Sequence, residues 1–337
     1  MIPMYPHKDI PNAPTSQANF GLWYDKFCNQ WSEDNLWSFK KKEWIEQAES
    51  FRFNDRDIVH EFVSRRVQMI QSLGGRFWVF ETLSPFVTGL GRTHPVENGM
   101  VWDYLSGLPF IPGSSIKGAL KASNRQYFEN HYDITERFTI FDAIPLGSVT
   151  LRGEIMTPHY APYYQKQESP GDWFSPTPIP FLTVPKGQRF LFSIVAPSEH
   201  LNRIEEWLEE TLTWAGLGAK TAVAFGRFRR IQAEEQRLIR EFEETLAQKR
   251  QAEQMQSLSP VEQELLADGY HDNSDRFMQA LTQKWLDKME DVTLPEDDRI
   301  LIAQKLKDWY LKNKNQEWNK PKNKKNQQKI ARIKKVL

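Results

Sequence analysis

The order of strand-like and helix-like patterns between residues 76 and 231 constrains the fold of this chain most. Runs rich in aromatic and β-branched residues, bounded by Gly and Pro, predict strands at 77–80, 139–143, 149–156, 189–195 and 221–229. Apolar residues at helical spacing predict one helix from Ser114 and another from Ser198 to Trp214, which Gly216 ends. This is the order of a ferredoxin-like α+β domain, in which two helices cover one face of an antiparallel sheet. We therefore expect the other face to be open to a ligand.

Flanking segments complete the predicted organisation of the 337-residue chain. Aromatic and aliphatic residues at helical spacing predict a helical N-terminal segment over 1–75, ahead of the ferredoxin-like domain over 76–231. Within that domain, the proline- and aromatic-rich insertion 157–185 predicts an ordered but irregular loop. Helical patterns return over 232–311, which we interpret as a packing or docking extension, and residues 312–337 form a basic tail.

Composition is typical of a globular cytoplasmic protein. No apolar run reaches the length of a membrane span, and the first residues lack the pattern of a signal peptide. Cys28 is the only cysteine, which excludes an internal disulfide and any multi-cysteine zinc site. The 44 basic and 44 acidic residues balance, yet residues 312–337 hold ten Lys or Arg against one Glu, a net charge of +9. Such a tail indicates either an anionic partner or a solubilising, mobile terminus.

The segment from Gly107 to Lys121 predicts a helix entrance that binds an anion. Pro112 and Gly113 break the preceding chain, and Ser114 can cap the helix that follows. Lys117 and Lys121, four residues apart, share one face of that helix. Backbone amides, the helix dipole and the two lysines would together favour a phosphate. A capped surface helix with solvated lysines is the alternative from this segment alone.

Two more glycine loops would let the backbone approach an extended ligand. Residues 88–95 and 216–221 are expected to converge with the Ser114 helix start at one rim of the sheet. Basic side chains there would contact phosphates without reading sequence, and an aromatic ring would stack an unpaired base. The predicted RNA-binding residues are Arg92, Gly113, Ser114, Ser115, Lys117, Lys121, Lys220, Thr221, Phe225 and Arg227.

The motifs argue against a nucleotide, metal or other cofactor site. The loop 216–221 lacks the glycine spacing of a Walker loop, and it runs from helix into strand, which is the reverse order. Asp142, Glu154 and His159 show no metal-ligand spacing. We therefore expect no cofactor, no metal and no catalytic residue. The alternative is an RNA endonuclease in which His94 or His159 acts as acid or base.

Six motifs, in order between residue 19 and about residue 230, resemble the RAMP proteins of CRISPR systems. They are Gly89-Leu-Gly91, His94-Pro-Val-Glu-Asn-Gly99, Gly107 to Leu120, Phe141-Asp-Ala143, Met156-Thr-Pro-His-Tyr160 and Gly216-Leu-Gly-Ala-Lys-Thr221. More narrowly, they resemble the sixth-subunit family of the type III-B (Cmr) RNA-guided effector complex.

This resemblance implies a ferredoxin-like RAMP fold and binding of the guide RNA toward its 3′ end. It also implies assembly beside the backbone and small subunits, with target RNA as a further partner. The role implied is non-catalytic, since cleavage of target RNA and synthesis of signalling nucleotides are attributed to other subunits. A pure assembly cap with incidental RNA contacts is a third interpretation.

Two positions depart from the family's pattern. The last glycine-rich loop usually ends in Gly-aromatic-Gly, whereas this sequence has Ala224-Phe225-Gly226, which predicts a loop that is stiffer at its first position. Glu154 stands where relatives often have Asp, which weakens any metal role of that carboxylate. Residues after Ile231 lie outside the resemblance, so the extension and the tail inherit no function from it.

Overall fold

The computed structural model describes residues 18–31, 38–51, 56–125, 138–158, 178–272 and 274–337, together with residues 163, 166–169, 171, 173 and 176. The chain forms two compact units, residues 1–242 and 243–337. The predicted division into 1–75, 76–231, 232–311 and 312–337 stays a prediction. Within the insertion 157–185, residues Ile179–Thr183 form a strand instead of the irregular loop expected there, and eleven other residues of the insertion lie outside the described residues.

The first unit combines helices with antiparallel strands. Its elements up to the second helix of the sheet domain are α1 (Phe20–Lys26), α2 (Lys41–Ser50), α3 (Arg56–Ser72), β1 (Arg76–Thr82), α4 (Gly113–Ser123), β2 (Thr139–Ile140), β3 (Ile144–Pro145), β4 (Arg152–Met156), β5 (Ile179–Thr183), β6 (Arg189–Val195) and α5 (Ser198–Glu210). They are followed by β7 (Phe228–Arg230) and α6 (Gln232–Ser257), which crosses the boundary between the units.

The main sheet has the strand order β7-β1-β6-β2, and β3 also pairs with β6. Every pairing in it is antiparallel. Since β2 and β3 are two pieces of one interrupted edge strand, the chain follows the order β-α-β-β-α-β of a ferredoxin-like domain. The α+β prediction is confirmed. Strands β4 and β5 form a separate antiparallel pair.

Both faces of the central strands are covered, which corrects the expectation of an open face. Strands β1 and β6 bury successive residues instead of every second one. On one face, Arg76 of β1 pairs with Glu205 of α5 at 2.8 Å. On the other face, Arg66 of α3 donates to Ser193 of β6 at 3.3 Å. The N-terminal helix α3 thus covers the face that the two helices of the ferredoxin-like unit leave open.

The chain between α5 and β7 departs from its prediction in one respect. Helix α5 continues through a π-helical turn at Thr211–Ala215. The helix then ends at Gly216, as predicted, and Gly216 has a φ of +78°. The strand predicted over 221–229 is wrong except at Phe228 and Arg229, which belong to β7. Lys220 and Ala224 adopt left-handed φ values of +62° and +66°, and Thr221–Val223 form a 3-10 turn. This stretch is therefore a loop that folds back on itself.

The second unit is helical and has its own core. Beyond the end of α6 it contains α7 (Pro260–Ala267), α8 (Ser274–Ala280), a π-helical turn (Leu281–Trp285), α9 (Leu286–Glu290), α10 (Glu296–Asn313), α11 (Asn315–Asn319) and α12 (Lys324–Val336). Trp285 and Tyr310 are fully buried at the centre of that core. Ile330 and Ile333 of α12 belong to the same core. The basic C-terminal segment is therefore a packed helix and not a mobile terminus.

No helix among the described residues is both long and apolar enough to cross a membrane.

Candidate functional site

Three segments that are far apart in sequence meet around one groove, as the glycine loops predict. The groove has a volume of about 590 Å³. One side is formed by residues 88–91, another by residues 215–219 with Thr221, and the third by a face of α4. The α4 residues in the groove are all small: Ser115, Gly118, Ala119, Ala122 and Ser123. We call this feature the glycine groove.

Close packing holds the 215–226 side of the glycine groove in place. The N–H of Leu217 donates to Gly226 O at 2.9 Å, and the N–H of Ala219 donates to Val87 O at 2.8 Å. A Cβ on Gly226 would lie 1.9 Å from Leu217 O, and one on Gly218 would lie 2.4 Å from Val87 O. Both glycines also have left-handed φ values, of +72° and +92°. Larger residues would therefore push these loops apart.

The same loop offers backbone donors to a ligand. The amides of Leu217 and Ala219 are used within the protein, because they donate to Gly226 O and Val87 O. The amides of Gly218 and Lys220 alternate with them along the loop. Within the described chain, neither the Gly218 nor the Lys220 amide donates to a backbone or side-chain acceptor. Amides of this kind, in a loop with left-handed residues, are suited to bind anions.

Lys220 lies beside the glycine groove and is fixed by an aromatic platform. Its Nζ lies 5.3 Å from the ring centroid of Phe181 and 2.8 Å from Met156 Sδ. Phe225 packs on the same ring, with the two centroids 6.3 Å apart. None of these partners is a carboxylate, so no described residue neutralises the charge of Lys220. Phe225 is half-buried in this packing and does not line the groove.

Arg227 packs against Gly216 but does not itself line the groove. Its Nη1 lies 3.1 Å from the position that a Cβ on Gly216 would take, and Gly216 lines the groove. This Nη1 is buried, and no described residue accepts a hydrogen bond from it. A buried donor without an acceptor costs about 1–3 kcal/mol.

Arg92 follows the glycine loop 88–91 but turns its side chain elsewhere. Its guanidinium donates to the Tyr104 hydroxyl at 3.2 Å and to Met100 O at 3.5 Å. Its backbone N–H closes the loop by donating to Gly89 O at 2.9 Å. Arg92 is exposed and does not line the groove.

The start of α4 is already occupied by a carboxylate of the protein itself, that of Asp142. The N–H of Gly113 donates to Asp142 Oδ1 at 2.7 Å, and a Cβ on Gly113 would lie 2.3 Å from Ile140 O. The N-cap is Pro112, so the predicted cap at Ser114 is wrong, and Ser114 is exposed instead. A carboxylate at this position uses the amide and the dipole that a phosphate would use. The helix entrance is therefore disfavoured as a phosphate site.

Lys117 and Lys121 share a face of α4, but it is not the face that lines the glycine groove. Together with Leu120, Ile204 and Trp207 they line a separate, small cavity. Of the ten residues predicted from sequence, Ser115 and Thr221 line the groove, and Lys220 and Arg227 stand beside it. RNA contact by any of the ten stays a prediction.

Sequence reasoning missed the small-residue face of α4. Gly118, Ala122 and Ser123 line the groove, and none of them was a candidate. The signal was present, because residues 115, 118, 119 and 122 recur at helical spacing and are all Ser, Gly or Ala.

His94 is placed for packing, and its ring nitrogens are both engaged. The N–H of Val96 donates to Nδ1 at 3.2 Å, so Nε2 carries the proton and donates to Tyr24 O at 3.0 Å. The ring stacks on Tyr24 with centroids 4.5 Å apart. Burial lowers the pKa of His94 below its ordinary value. This neutral imidazole stabilises the contact with α1 and is not placed for acid–base chemistry. His159, the other candidate, lies outside the described residues.

Comparison with known proteins agrees with this architecture. A sequence profile of the RAMP superfamily matches residues 79–229, from within β1 to within β7. The protein described as CRISPR system Cmr subunit Cmr6 from Pyrococcus furiosus is 41% identical to this chain, in a match that covers 51% of this chain and 72% of that protein.

Two solved structures also align with parts of the chain. One chain in the cryo-EM structure of the type III-B Cmr-beta bound to cognate target RNA is 22% identical, with a TM-score of 0.47, over 57% of this chain and 71% of that one. The crystal structure of Cmr6 from Pyrococcus furiosus is 24% identical, with a TM-score of 0.32, over 47% of this chain and 97% of that one. The profile match and the 41% identity across most of a relative show that this chain belongs to the RAMP superfamily, in the family of Cmr6 subunits.

Proposed function

We propose that the chain is a non-catalytic RNA-binding subunit of a cytoplasmic type III-B CRISPR effector complex. In this role it holds the guide RNA near its 3′ end, next to target RNA, and caps the assembly formed by the neighbouring subunits. The observation that carries the proposal is the glycine groove, with the Lys220 ammonium beside it. Membership in the family of Cmr6 subunits supports the same role.

The chemistry of the groove suits a sugar–phosphate backbone. Small side chains on α4 and glycines in the facing loops leave room for a strand to approach the protein backbone. Free amides and the Lys220 ammonium provide contacts that carry affinity but no sequence information. A subunit that holds guides of differing sequence needs contacts of this kind.

A single charge placed in the groove tests the proposal. Ala122 is exposed, lies on α4 and lines the groove, so Ala122→Glu adds a carboxylate there with little cost to the helix. A negative charge about 5 Å from a phosphate costs about 1–3 kcal/mol, depending on exposure to solvent. We expect guide-RNA affinity to fall by about 5- to 150-fold in the assembled complex.

The matched control is Ala122→Gln, which has the same length and no charge. It is expected to retain most of the affinity, and the difference between the two variants should shrink at high salt. If the two variants retain RNA equally at moderate salt, the RNA does not bind in the groove. That result would favour the assembly cap with incidental RNA contacts.

A second variant tests the cation at the groove. Lys220→Met keeps the packing on Phe181 and removes the charge. The slope of log affinity against log salt should fall by about 0.7, which is the value for one phosphate contact on a single strand. Lys42→Met is the matched control, because that lysine is on α2 and its side chain is 78% exposed. The slope of the control should equal that of the wild type.

The non-catalytic part of the proposal has its own test. Purified protein incubated with guide precursor or target RNA is expected to leave both intact. Cutting that His159→Ala abolishes without loss of RNA binding would overturn this part and restore the endonuclease alternative.

A further inference from the structure

The outward side of α12 is basic and carries no acid. Its exposed positions are Lys324, Lys325, Gln327, Gln328, Ala331, Lys334 and Lys335. The apolar residues of the helix turn inward, with Ile330 3% exposed and Ile333 fully buried. We call this exposed side the lysine face.

Positive charge is concentrated in this part of the second unit. Residues 312–337 hold ten Lys or Arg against one Glu, a net of +9. Residues 243–311 hold eight Lys or Arg against fifteen Asp or Glu, a net of −7. The separation of charge within one compact unit indicates that the lysines serve more than solubility.

Internal ion pairs do not neutralise the lysine face. Arg332, at the side of α12, pairs with Asp287 at 2.6 Å and Glu290 at 2.8 Å, and so fixes the helix to α9. The only acidic side chain of residues 312–337, Glu317, lies against Asn326. Among the described residues, the four exposed lysines have no carboxylate within salt-bridge distance.

Lysines also crowd the edge of this surface. Lys329 donates to Thr282 Oγ1 at 2.7 Å, and Lys334 lies 5.2 Å from the ring centroid of Trp318. Burial, followed by the charges of Lys314 and Lys325, lowers the pKa of Lys329. Like charges so close repel one another, and a bound polyanion would relieve that repulsion.

We propose that the lysine face binds the phosphate backbone of RNA, as a second RNA-contacting surface that does not depend on the glycine groove. The surface extends over about eleven residues of helix, roughly 16 Å, which is long enough for several phosphates. Lysines interspersed with glutamines contact phosphate and sugar without selecting a base.

Other partners fit this surface less well. A membrane-binding helix inserts large apolar residues, and here those residues form the core of the unit. A stable protein partner needs buried aromatic or arginine anchors, and the exposed positions of α12 provide Lys, Gln and Ala instead. Isolated surface ion pairs would add only about 0–1 kcal/mol each. RNA gains from the same lysines by counterion release.

The test uses the full-length protein, a fluorescent single-stranded RNA of mixed sequence, and salt titrations. Lys324→Gln/Lys325→Gln removes two charges and keeps a good helix former at both positions. If both lysines contact phosphates, the slope of log affinity against log salt falls by about 1.4. Between about 50 and about 200 mM salt, the wild type then loses about sevenfold more affinity than the variant.

The matched control is Lys249→Gln/Arg250→Gln, an exposed pair in the same unit with Glu253 close by in sequence. Its slope should equal that of the wild type. Lys324→Arg/Lys325→Arg keeps the charge and should keep the wild-type slope. Equal slopes for the Gln variant of α12 and for its control would overturn the proposal.

Two further experiments distinguish RNA binding by the lysine face from RNA binding in the glycine groove and from binding of an acidic protein. In an Ala122→Glu background, the α12 substitutions should still lower the salt slope, which distinguishes failure of the groove from failure of the lysine face. Polyglutamate of matched charge should displace the RNA poorly. If polyglutamate binds more tightly than RNA and its binding depends on Lys324 and Lys325, the partner is an acidic protein and the proposal is wrong.

Discussion

Ala224 and Gly226, in the loop that follows the groove-lining segment 215–221, are expected to respond in opposite directions to the exchange of glycine and alanine. Ala224 has φ +66° and Gly226 has φ +72°, so both occupy the left-handed region. A Cβ in this region costs roughly 1–2 kcal/mol. Ala224 is exposed and bears that cost, whereas a Cβ on Gly226 would also lie 1.9 Å from Leu217 O.

The magnitudes follow from these contacts. Gly226→Ala displaces two hydrogen bonds, from the Gly226 N–H to Pro85 O at 2.8 Å and from the Leu217 N–H to Gly226 O at 2.9 Å. At about 1 kcal/mol per bond and roughly 1–2 kcal/mol of strain, the first unit loses about 3–4 kcal/mol of unfolding free energy. Ala224→Gly relieves roughly 1–2 kcal/mol of strain against about 0.4–1 kcal/mol of unfolded-state entropy, so it stabilises by about 0–1.5 kcal/mol.

Hydrogen exchange of the amides in β1 and β6 measures both effects in the first unit. Protection should fall by about 100- to 1,000-fold in Gly226→Ala and stay equal or rise in Ala224→Gly. If the amides of β1 and β6 are protected in Gly226→Ala as strongly as in the wild type, the loop does not have this geometry. Lower protection in Ala224→Gly would refute the strain assigned to Ala224.

Two other predictions concern His94 and the C-terminal helix. Because burial lowers the pKa of His94, the unfolded chain takes up its proton first as the pH falls. The unfolding free energy should therefore decrease below about pH 6.5, and less so in His94→Gln, as urea midpoints between about pH 5 and about pH 8 would show. A midpoint that does not change with pH would contradict this. Ile333→Ala removes a fully buried side chain and should cost the second unit about 2–5 kcal/mol in thermal unfolding. Exposed Lys335→Ala should change stability by less than about 0.5 kcal/mol, and equal effects of the two variants would show that α12 is not part of that core.

The elements of the sheet domain could be predicted from sequence because they depend on nearby residues. Strand β6 has the predicted bounds, 189 and 195, since aromatic and branched residues fill it and loops flank it. Helix α5 and its glycine end follow from an apolar stripe and a residue that tolerates positive φ. The strand predicted from residue 221 was wrong because Lys220 and Ala224 adopt left-handed backbone, which non-glycine residues rarely do.

Packing across long sequence distances could not be predicted in the same way. The apolar stripe of α3 shows that one side is buried, but not that Arg66 faces Ser193 and closes the second face of the sheet. The cap of α4 comes from Asp142, 29 residues beyond Gly113, and no local pattern contains that contact.

The candidate site was predictable in its parts more than in its arrangement. Convergence of the glycine loops followed from the order of elements in a ferredoxin-like fold, and the groove confirms it. Which side of α4 faces the groove depends on how the helix is rotated on the sheet. That rotation places Ser115 and Ala122 in the groove, and Lys117 and Lys121 away from it.

The most direct test of RNA binding in the glycine groove is a map of RNA contacts in the assembled effector complex. Guide RNA carrying 4-thiouridine would be cross-linked by ultraviolet light, and the modified peptides identified by mass spectrometry. Cross-links are expected within residues 88–92 and 215–227, and they should be lost in Ala122→Glu but not in Ala122→Gln. Cross-links to neighbouring subunits that spare both segments of this chain would contradict this expectation.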